Sequence, residues 1–237
     1  MDRSELAHWL RLTVTPGIGN STGRSLLARF GLPEQIFAQS TATLRAVVNP
    51  TQAQALAQLP DGFDTQLQRT WDWLHPVQAS AESEGARAVI TLADACYPPA
   101  LLAMEDPPPL LYVQGAARWL APPRTPVAAL GLARCIAIVG SRNPTPQGTD
   151  NARRFASALV QAGYTVVSGL ARGVDGAAHL GALDAVSVGS DHPATVAVVG
   201  TGLDRVYPTS HLALARRITS LALMVSEYPI GTPPIAA

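Results

Sequence analysis

The sequence predicts an α/β fold in which a parallel sheet follows a small all-helical module. From Cys135 onward, short apolar strands alternate with helical segments, a pattern typical of βαβ units with right-handed crossovers. Before residue 76, apolar residues instead recur at helical spacing, with polar or glycine-bearing breaks between the segments. We therefore expect a helical domain at 1–75, a proline-rich connecting region with short strands at 76–134, and the sheet domain at 135–237.

The helical module is predicted to begin with a helix on which Leu6, Trp9 and Leu10 share one face. A second predicted helix is stopped by Gly31. The further predicted helices are 33–37, 43–48, 52–59 and 64–74. Between the first two helices, Pro16-Gly-Ile-Gly19 is similar to a helix-hairpin-helix hairpin, which offers backbone N–H groups to phosphates, and it fits a plain helix–helix turn equally well.

Strands and helices alternate through the second half of the chain. In the connecting region, Ala88–Leu92 and a run that reaches Val113 are predicted strands, and 122–132 is a linker. The later predicted strands are 136–139, 165–168, 195–199 and 223–226, and the helices are 147–162, 174–184 and 210–221. Because doubly wound sheets usually have about five or six strands or more, we expect an unfinished edge and an incomplete domain.

Three glycine-bearing turns, each after a predicted strand, indicate a phosphate site. The carboxyl ends of parallel strands meet at one crevice, where helix N-termini bring N–H groups and partial positive charge. Arg142 and Arg172 lie in two of these turns and can pair bidentately with phosphate oxygens. Tyr207, after the third turn, either packs or stacks on a base. The candidate nucleic-acid-binding residues are Gly140, Ser141, Arg142, Asn143, Gly169, Arg172, Gly173, Gly200, Gly202 and Tyr207.

Composition and motifs exclude several classes of protein. The formal net charge is zero, so a nucleic-acid site must depend on a local pocket, and all 17 basic residues are arginine. Arg142 replaces the second glycine of the dinucleotide fingerprint, and a Walker A motif needs lysine, so we expect no nucleotide cofactor. Cys96 and Cys135 form no metal motif or disulfide framework. Without a signal sequence or an apolar run of roughly 20 residues, we expect a cytoplasmic protein with no membrane partner.

No catalytic constellation emerges from the sequence. Asp175 and His179 lie four residues apart on a predicted helix and could form an acid/base pair. No serine, cysteine or metal-ligand partner lies near them at useful spacing, so we expect structural roles for both.

Taken together, these motifs resemble the DNA-processing protein A family (DprA, also called Smf). The resemblance covers nearly the whole chain and begins at Pro16-Gly-Ile-Gly19, Phe30-Gly31 and Tyr97-Pro98. Its most specific part is an ordered set of four motifs: Val139-Gly-Ser-Arg142, Ser168–His179, Gly202-Leu-Asp with Tyr207-Pro208, and Ser226-Glu-Tyr-Pro with Gly231.

The resemblance implies a Rossmann-like domain behind a SAM-like helical domain. It implies binding of single-stranded DNA without catalysis, with Gly140, Ser141 and Arg142 lining the pocket. It also implies delivery of that strand to the RecA recombinase during natural transformation, and a homodimer in the full-length family. Family members continue with a basic segment and further strands, so we expect a sequence truncated within the Rossmann-like domain.

Two other functions remain open at this point. A nucleotide hydrolase of the phosphoribohydrolase type also presents glycine-rich phosphate turns, although its Pro-Gly-Gly-x-Gly-Thr run with a catalytic glutamate is missing from this sequence. A purely protein-binding scaffold is also possible, and the phosphate-suited turns argue against it.

Overall fold

Six strands form one mixed sheet in the part of the chain that the computed structural model describes, residues 1–76, 85–120, 134–186 and 189–234. The strands are β1 (Ala86–Thr91), β2 (Leu110–Gly115), β3 (Cys135–Ala137), β4 (Thr165–Ser168), β5 (Thr195–Val198) and β6 (Leu223–Ser226). Their spatial order is β1-β2-β6-β5-β4-β3, with β3 to β6 parallel. The predicted fold class, a Rossmann-like parallel sheet behind a helical module, is confirmed.

The helical module contains six helices within the described residues. They are α1 (Arg3–Val14), α2 (Asn20–Phe30), α3 (Pro33–Phe37), α4 (Thr41–Leu44), α5 (Pro50–Ala57) and α6 (Phe63–Leu74). Two of them, α4 and α5, begin before their predicted positions because side chains cap their N-termini. Ser40 accepts a hydrogen bond from the N–H of Thr43, and Asn49 forms a capping box with Gln52. Gly31 ends α2 as predicted, at a φ of 90° that favours glycine.

One face of the helical module packs against the sheet. The module has its own apolar core, which includes Leu12, Leu26 and Ile36. On the other side, α1 and α6 share a second core with the sheet, where Trp73 meets Tyr112 edge to face at 6.1 Å between ring centroids. The module is therefore fixed against the strands by buried aromatic contact.

The crossover helices lie on one face of the sheet. After the short helices α7 (Pro99–Leu102) and α8 (Ala117–Leu120) come α9 (Pro146–Gln161), α10 (Val174–Asp184) and α11 (Leu212–Leu221). Because β3, β4, β5 and β6 are adjacent in chain order, right-handed crossovers place α9, α10 and α11 on the same side. The opposite face carries an apolar groove of about 340 Å³.

The sheet takes in two strands that lie within the predicted connecting region. β1 pairs antiparallel with β2, and β2 pairs antiparallel with β6, so that Gly115 lies opposite Leu223. The edge of the parallel strands beside β6 is therefore paired, whereas β3 is an exposed edge of the sheet. The expectation of an incomplete domain stays a prediction. The boundaries near 75 and 134 stay predictions, and the predicted linker at 122–132 lies outside the described residues.

We predict that Gly115→Ala destabilises the protein because the joint between β2 and β6 has no room for a methyl group. A Cβ at Gly115 would lie 2.2 Å from the carbonyl oxygen of Ala222 and 3.0 Å from the Cα of Leu223. Overpacking of this kind costs about 1–3 kcal/mol, which the urea midpoint of unfolding measures.

Gly148→Ala in α9 is the matched control. Its Cβ would meet no atom closer than 3.4 Å, and alanine is the better helix former. We expect this variant to be at least as stable as the original chain. An unchanged midpoint for Gly115→Ala would show that the β2–β6 joint is looser than the structure indicates.

Candidate nucleic-acid interface

The turn between β4 and α10 is held in shape by a buried carboxylate. Asp175 Oδ2 accepts hydrogen bonds from the N–H groups of Gly169, at 3.1 Å, and Ala171, at 3.4 Å. Gly173 has a φ of 82°, and a Cβ there would lie 2.3 Å from the carbonyl oxygen of Ser141. The turn therefore requires glycine at 173, both for its backbone conformation and for its close approach to the first turn.

A second hydrogen bond joins this turn to the one after β3. The N–H of Val174 donates to the carbonyl oxygen of Ser141 at 3.1 Å. Ser141 also accepts a bond at its hydroxyl from the N–H of Asn143, at 3.0 Å, which tightens the first turn around Arg142. Gly140 lies against Val174, where a Cβ would be 3.0 Å from a methyl carbon. The two arginine-bearing turns therefore form one unit.

The third turn is braced by the segment that follows β6. The N–H of Gly202 donates to the carbonyl oxygen of Thr232 at 3.1 Å, and the N–H of Gly231 donates to Asp204 Oδ1 at 2.7 Å. These bonds fold residues 228–234 back over the strand ends and bring Tyr228 next to the second and third turns.

All three turns contribute to one cleft of about 240 Å³ at the carboxyl ends of the strands. The guanidinium groups of Arg142 and Arg172 line it, and neither has a hydrogen-bond or ion-pair partner within the described residues. Tyr207, which is 49% exposed, and the half-buried Tyr228 add aromatic surface. The cleft therefore combines positive charge with rings on which a flat group can stack.

Five of the predicted site residues line this cleft, and the other five shape its backbone. The lining residues are Arg142, Gly169, Arg172, Gly200 and Tyr207. The residues that lie in the same turns without lining the cleft are Gly140, Ser141, Asn143, Gly173 and Gly202.

Sequence reasoning missed six lining residues: Ala171, Val199, Thr201, Pro208, Tyr228 and Pro234. The Ser226-Glu-Tyr-Pro motif was the one signal in the sequence that pointed to Tyr228. Pro234 reaches the cleft through long-range backbone bonds, which leave no local pattern.

Asp175 and His179 are both buried and hydrogen-bonded, which fits the structural roles expected for them. His179 is buried, and its Nδ1 lies 2.8 Å from the Thr195 hydroxyl, which itself donates to the carbonyl oxygen of Val166 at 2.7 Å. His179 therefore donates through Nδ1 as a neutral imidazole. Burial lowers its pKa to about 4.

Among residues 1–76, 85–120, 134–186 and 189–234, no group of histidine, cysteine and acidic side chains is arranged to hold a metal ion. Across the same residues, no helix combines the length and the apolar character that crossing a membrane requires.

Fold and cleft together define a class: α/β proteins with a Rossmann-like sheet and a ligand crevice outside the carboxyl ends of its parallel strands. Within that class, the model of the family described as DNA recombination-mediator protein A matches residues 88–237. The chain belongs to this family, the DprA/Smf family, and the predicted family membership is confirmed.

Relatives extend the match to the helical module. Protein Smf of Synechocystis is 32% identical over 241 residues, an alignment that covers 99% of this chain and 54% of that protein. Protein Smf of Escherichia coli is 38% identical over 141 residues, or 59% of this chain and 33% of that protein. The chain thus spans about half the length of its Synechocystis relative.

Two solved structures are also similar. DNA processing protein A from Streptococcus pneumoniae matches with a TM-score of 0.68 and 25% identity, over 99% of this chain and 70% of that one. DNA processing protein A from Helicobacter pylori, whose structure concerns its single-stranded DNA binding mode, matches with a TM-score of 0.50 and 27% identity, over 65% of this chain and 61% of that one.

We predict that His179 makes stability fall in acid. Its pKa is about 4 in the folded protein and 6.5 in its ordinary state, so the unfolded chain binds more protons between these values. The contribution of neutral His179 to stability is therefore complete above pH 6.5 and decreases as the pH falls toward 4. Urea midpoints across this range should decline less steeply for His179→Gln, which does not titrate. Parallel profiles for the two proteins would rule out this role.

Proposed function

We propose that the cleft at the strand ends binds single-stranded DNA. The observation that carries the proposal is the pair of guanidinium groups, Arg142 and Arg172, which face one cleft without a partner in the described residues. Elsewhere in the chain, exposed arginines such as Arg154 and Arg217 pair with carboxylates. Two arginines that line one cleft without a partner fit a ligand that brings its own negative charge, such as a phosphate backbone.

The two tyrosines of the cleft supply aromatic rings on which bases can stack. A base that leaves its neighbours can stack on the ring of Tyr207 or Tyr228, and such stacking is worth about 1–3 kcal/mol per base. Paired bases in a duplex do not present their faces, so an aromatic cleft selects the single strand. Stacking tolerates most sequences, and we therefore expect little base preference.

The comparisons support this proposal from outside the site. The chain belongs to a family described as a recombination mediator, and its Helicobacter pylori relative has a single-stranded DNA binding mode. We extend the proposal to the role that the family resemblance implies. In that role the full-length protein acts in the cytoplasm as a homodimer and delivers the bound strand to RecA during natural transformation, without catalysis.

The competing function is hydrolysis of a nucleotide. Among the described residues that line the cleft, none is a carboxylate or an imidazole, the groups that most often act as general acid and base. This lining favours binding over hydrolysis. Incubation with nucleoside monophosphates, followed by chromatography of the free bases, separates the two functions, and sustained release of base would replace our proposal with the enzyme.

We predict that Arg142→Ala weakens the binding of oligo-dT by about tenfold or more, because a charge-assisted contact to phosphate is worth about 1.5–3 kcal/mol. The salt dependence should also become shallower, since each lost phosphate contact removes about 0.7 from the logarithmic slope. Fluorescence anisotropy measures both quantities, and circular dichroism checks the fold.

Arg154→Ala is the matched control for the charge. Arg154 is an exposed arginine on α9 that pairs with Asp150 at 2.9 Å and does not line the cleft. We expect it to bind oligo-dT like the original chain. Equal affinities for Arg142→Ala and Arg154→Ala would remove Arg142 from the site.

A second variant tests the shape of the cleft. At Gly200 an added Cβ would lie 4.0 Å from the nearest atom, a ring carbon of Tyr228, so Gly200→Ala should fold normally. The methyl group would project into the space that the strand occupies, and we expect weaker oligo-dT binding in the same anisotropy assay. Gly148→Ala, outside the cleft, controls for the added methyl. Unchanged binding by Gly200→Ala would mean that the strand does not approach the third turn.

A further inference from the structure

A second, larger cleft adjoins the first. It has a volume of about 370 Å³ and lies between α6 of the helical module and α11, over Gln114 of β2 and Met224 of β6. The loop that leads from the third turn to Tyr207, residues 203–206, lines one side of it. The side chains that matter here are Trp73, Arg87, Gln114, Asp204, Arg205 and Arg216.

Positive charge exceeds negative charge in this second cleft. One of the arginines that line it, Arg87, donates to the carbonyl oxygen of Trp73 at 2.8 Å. The other two, Arg205 and Arg216, lie in the cleft with one carboxylate, that of Asp204, whose Oδ1 already accepts the N–H of Gly231. Arg205 approaches the other carboxylate oxygen only to 3.7 Å. Arg216 has no hydrogen-bond or ion-pair partner for its guanidinium in the part of the chain that the structure describes. The next residue, Arg217, bonds to Asp184 at 2.9 Å, so the lack of a partner is specific to the side of α11 that faces the cleft.

Trp73 also lines the second cleft. Trp73 is 6% exposed, and its indole N–H is buried without an acceptor in the described residues. Guanidinium and indole groups donate hydrogen bonds and accept none. A ligand suited to this lining therefore brings acceptor oxygens and negative charge, as phosphate groups do.

One short loop, residues 203–207, separates the two clefts. Arg205 lines the second cleft and Tyr207 lines the first, and two residues span at most about 7 Å of extended chain. The loop is anchored by the bond between Asp204 and Gly231 and by the bond from the N–H of Gly202 to Thr232. Tyr207 is 49% exposed and lines the first cleft where this loop ends.

We propose that the second cleft is an extension of the DNA path, in which Arg205 and Arg216 bind phosphates of the strand that leaves the first cleft over Tyr207. This inference rests on the proposed function. The first cleft holds the strand through Arg142 and Arg172, and the second adds ionic contacts that only a longer strand can reach. The site therefore takes a polynucleotide in preference to a mononucleotide.

The test compares a short and a long oligo-dT, of about 4 and about 16 nucleotides, the two ends of the range of site sizes known for single-strand-binding OB folds. For the double variant Arg205→Ala/Arg216→Ala, we expect about tenfold weaker binding of the long strand and unchanged binding of the short one. The salt slope for the long strand should fall by about 1.4, since two phosphate contacts are lost. Both arginines are exposed, so the variant should retain the fold, which circular dichroism checks.

Arg217→Ala is the matched control, because it removes the same charge from the neighbouring position on α11, outside the cleft. It should leave both affinities unchanged. If the double variant binds the long strand with the original affinity and slope, the extension is wrong while the proposed function stands. An equal loss for both strand lengths overturns the extension as well, because it places the arginines in the first cleft. If the unaltered chain binds neither strand, both proposals fail together.

Discussion

The hydrogen bond from the N–H of Val174 to the carbonyl oxygen of Ser141 links the two turns that carry the arginines. It forms only because Gly173 adopts a positive φ and lets the two backbones touch. The carboxylate of Asp175 fixes the other end of the same turn through two N–H groups. With this bond in place, Arg142 and Arg172 line one cleft. The backbone geometry of the two turns therefore determines where the positive charge of the cleft lies.

The parallel sheet places the two linked turns, with Arg142 and Arg172, at an edge that a ligand can reach. Because β3 to β6 run in the same direction, their turns open at one edge, and the crossover helices cover the face behind them. The antiparallel pair β1 and β2 extends the sheet beyond β6 and gives α6 a surface to pack on. The helical module is thereby held beside the strand ends, and Trp73 becomes part of the wall of the second cleft.

Local sequence patterns predicted the helices, the strands and the turns, because helix periodicity, capping residues and glycines each depend on residues that are close together in the chain. The helix at 174–184 and the strands at 165–168 and 223–226 match the structure at both ends. Two features could not be predicted in this way. The antiparallel pairing of β2 with β6 joins residues far apart in the chain, and the bonds that fold Pro234 back to the cleft are equally non-local. The three turns of the candidate site were therefore predicted from the sequence, whereas the residues after β6 that complete the lining of the cleft, Tyr228 and Pro234, were not.

The most direct test of the central claim is the binding of a labelled oligo-dT by the unaltered chain, measured by fluorescence anisotropy beside a duplex of equal length. Our account predicts saturable binding of the single strand that weakens as salt rises, with much weaker binding of the duplex, because only an unpaired base can stack on the tyrosines. Equal affinity for both forms, or no binding by a demonstrably folded sample, would contradict it.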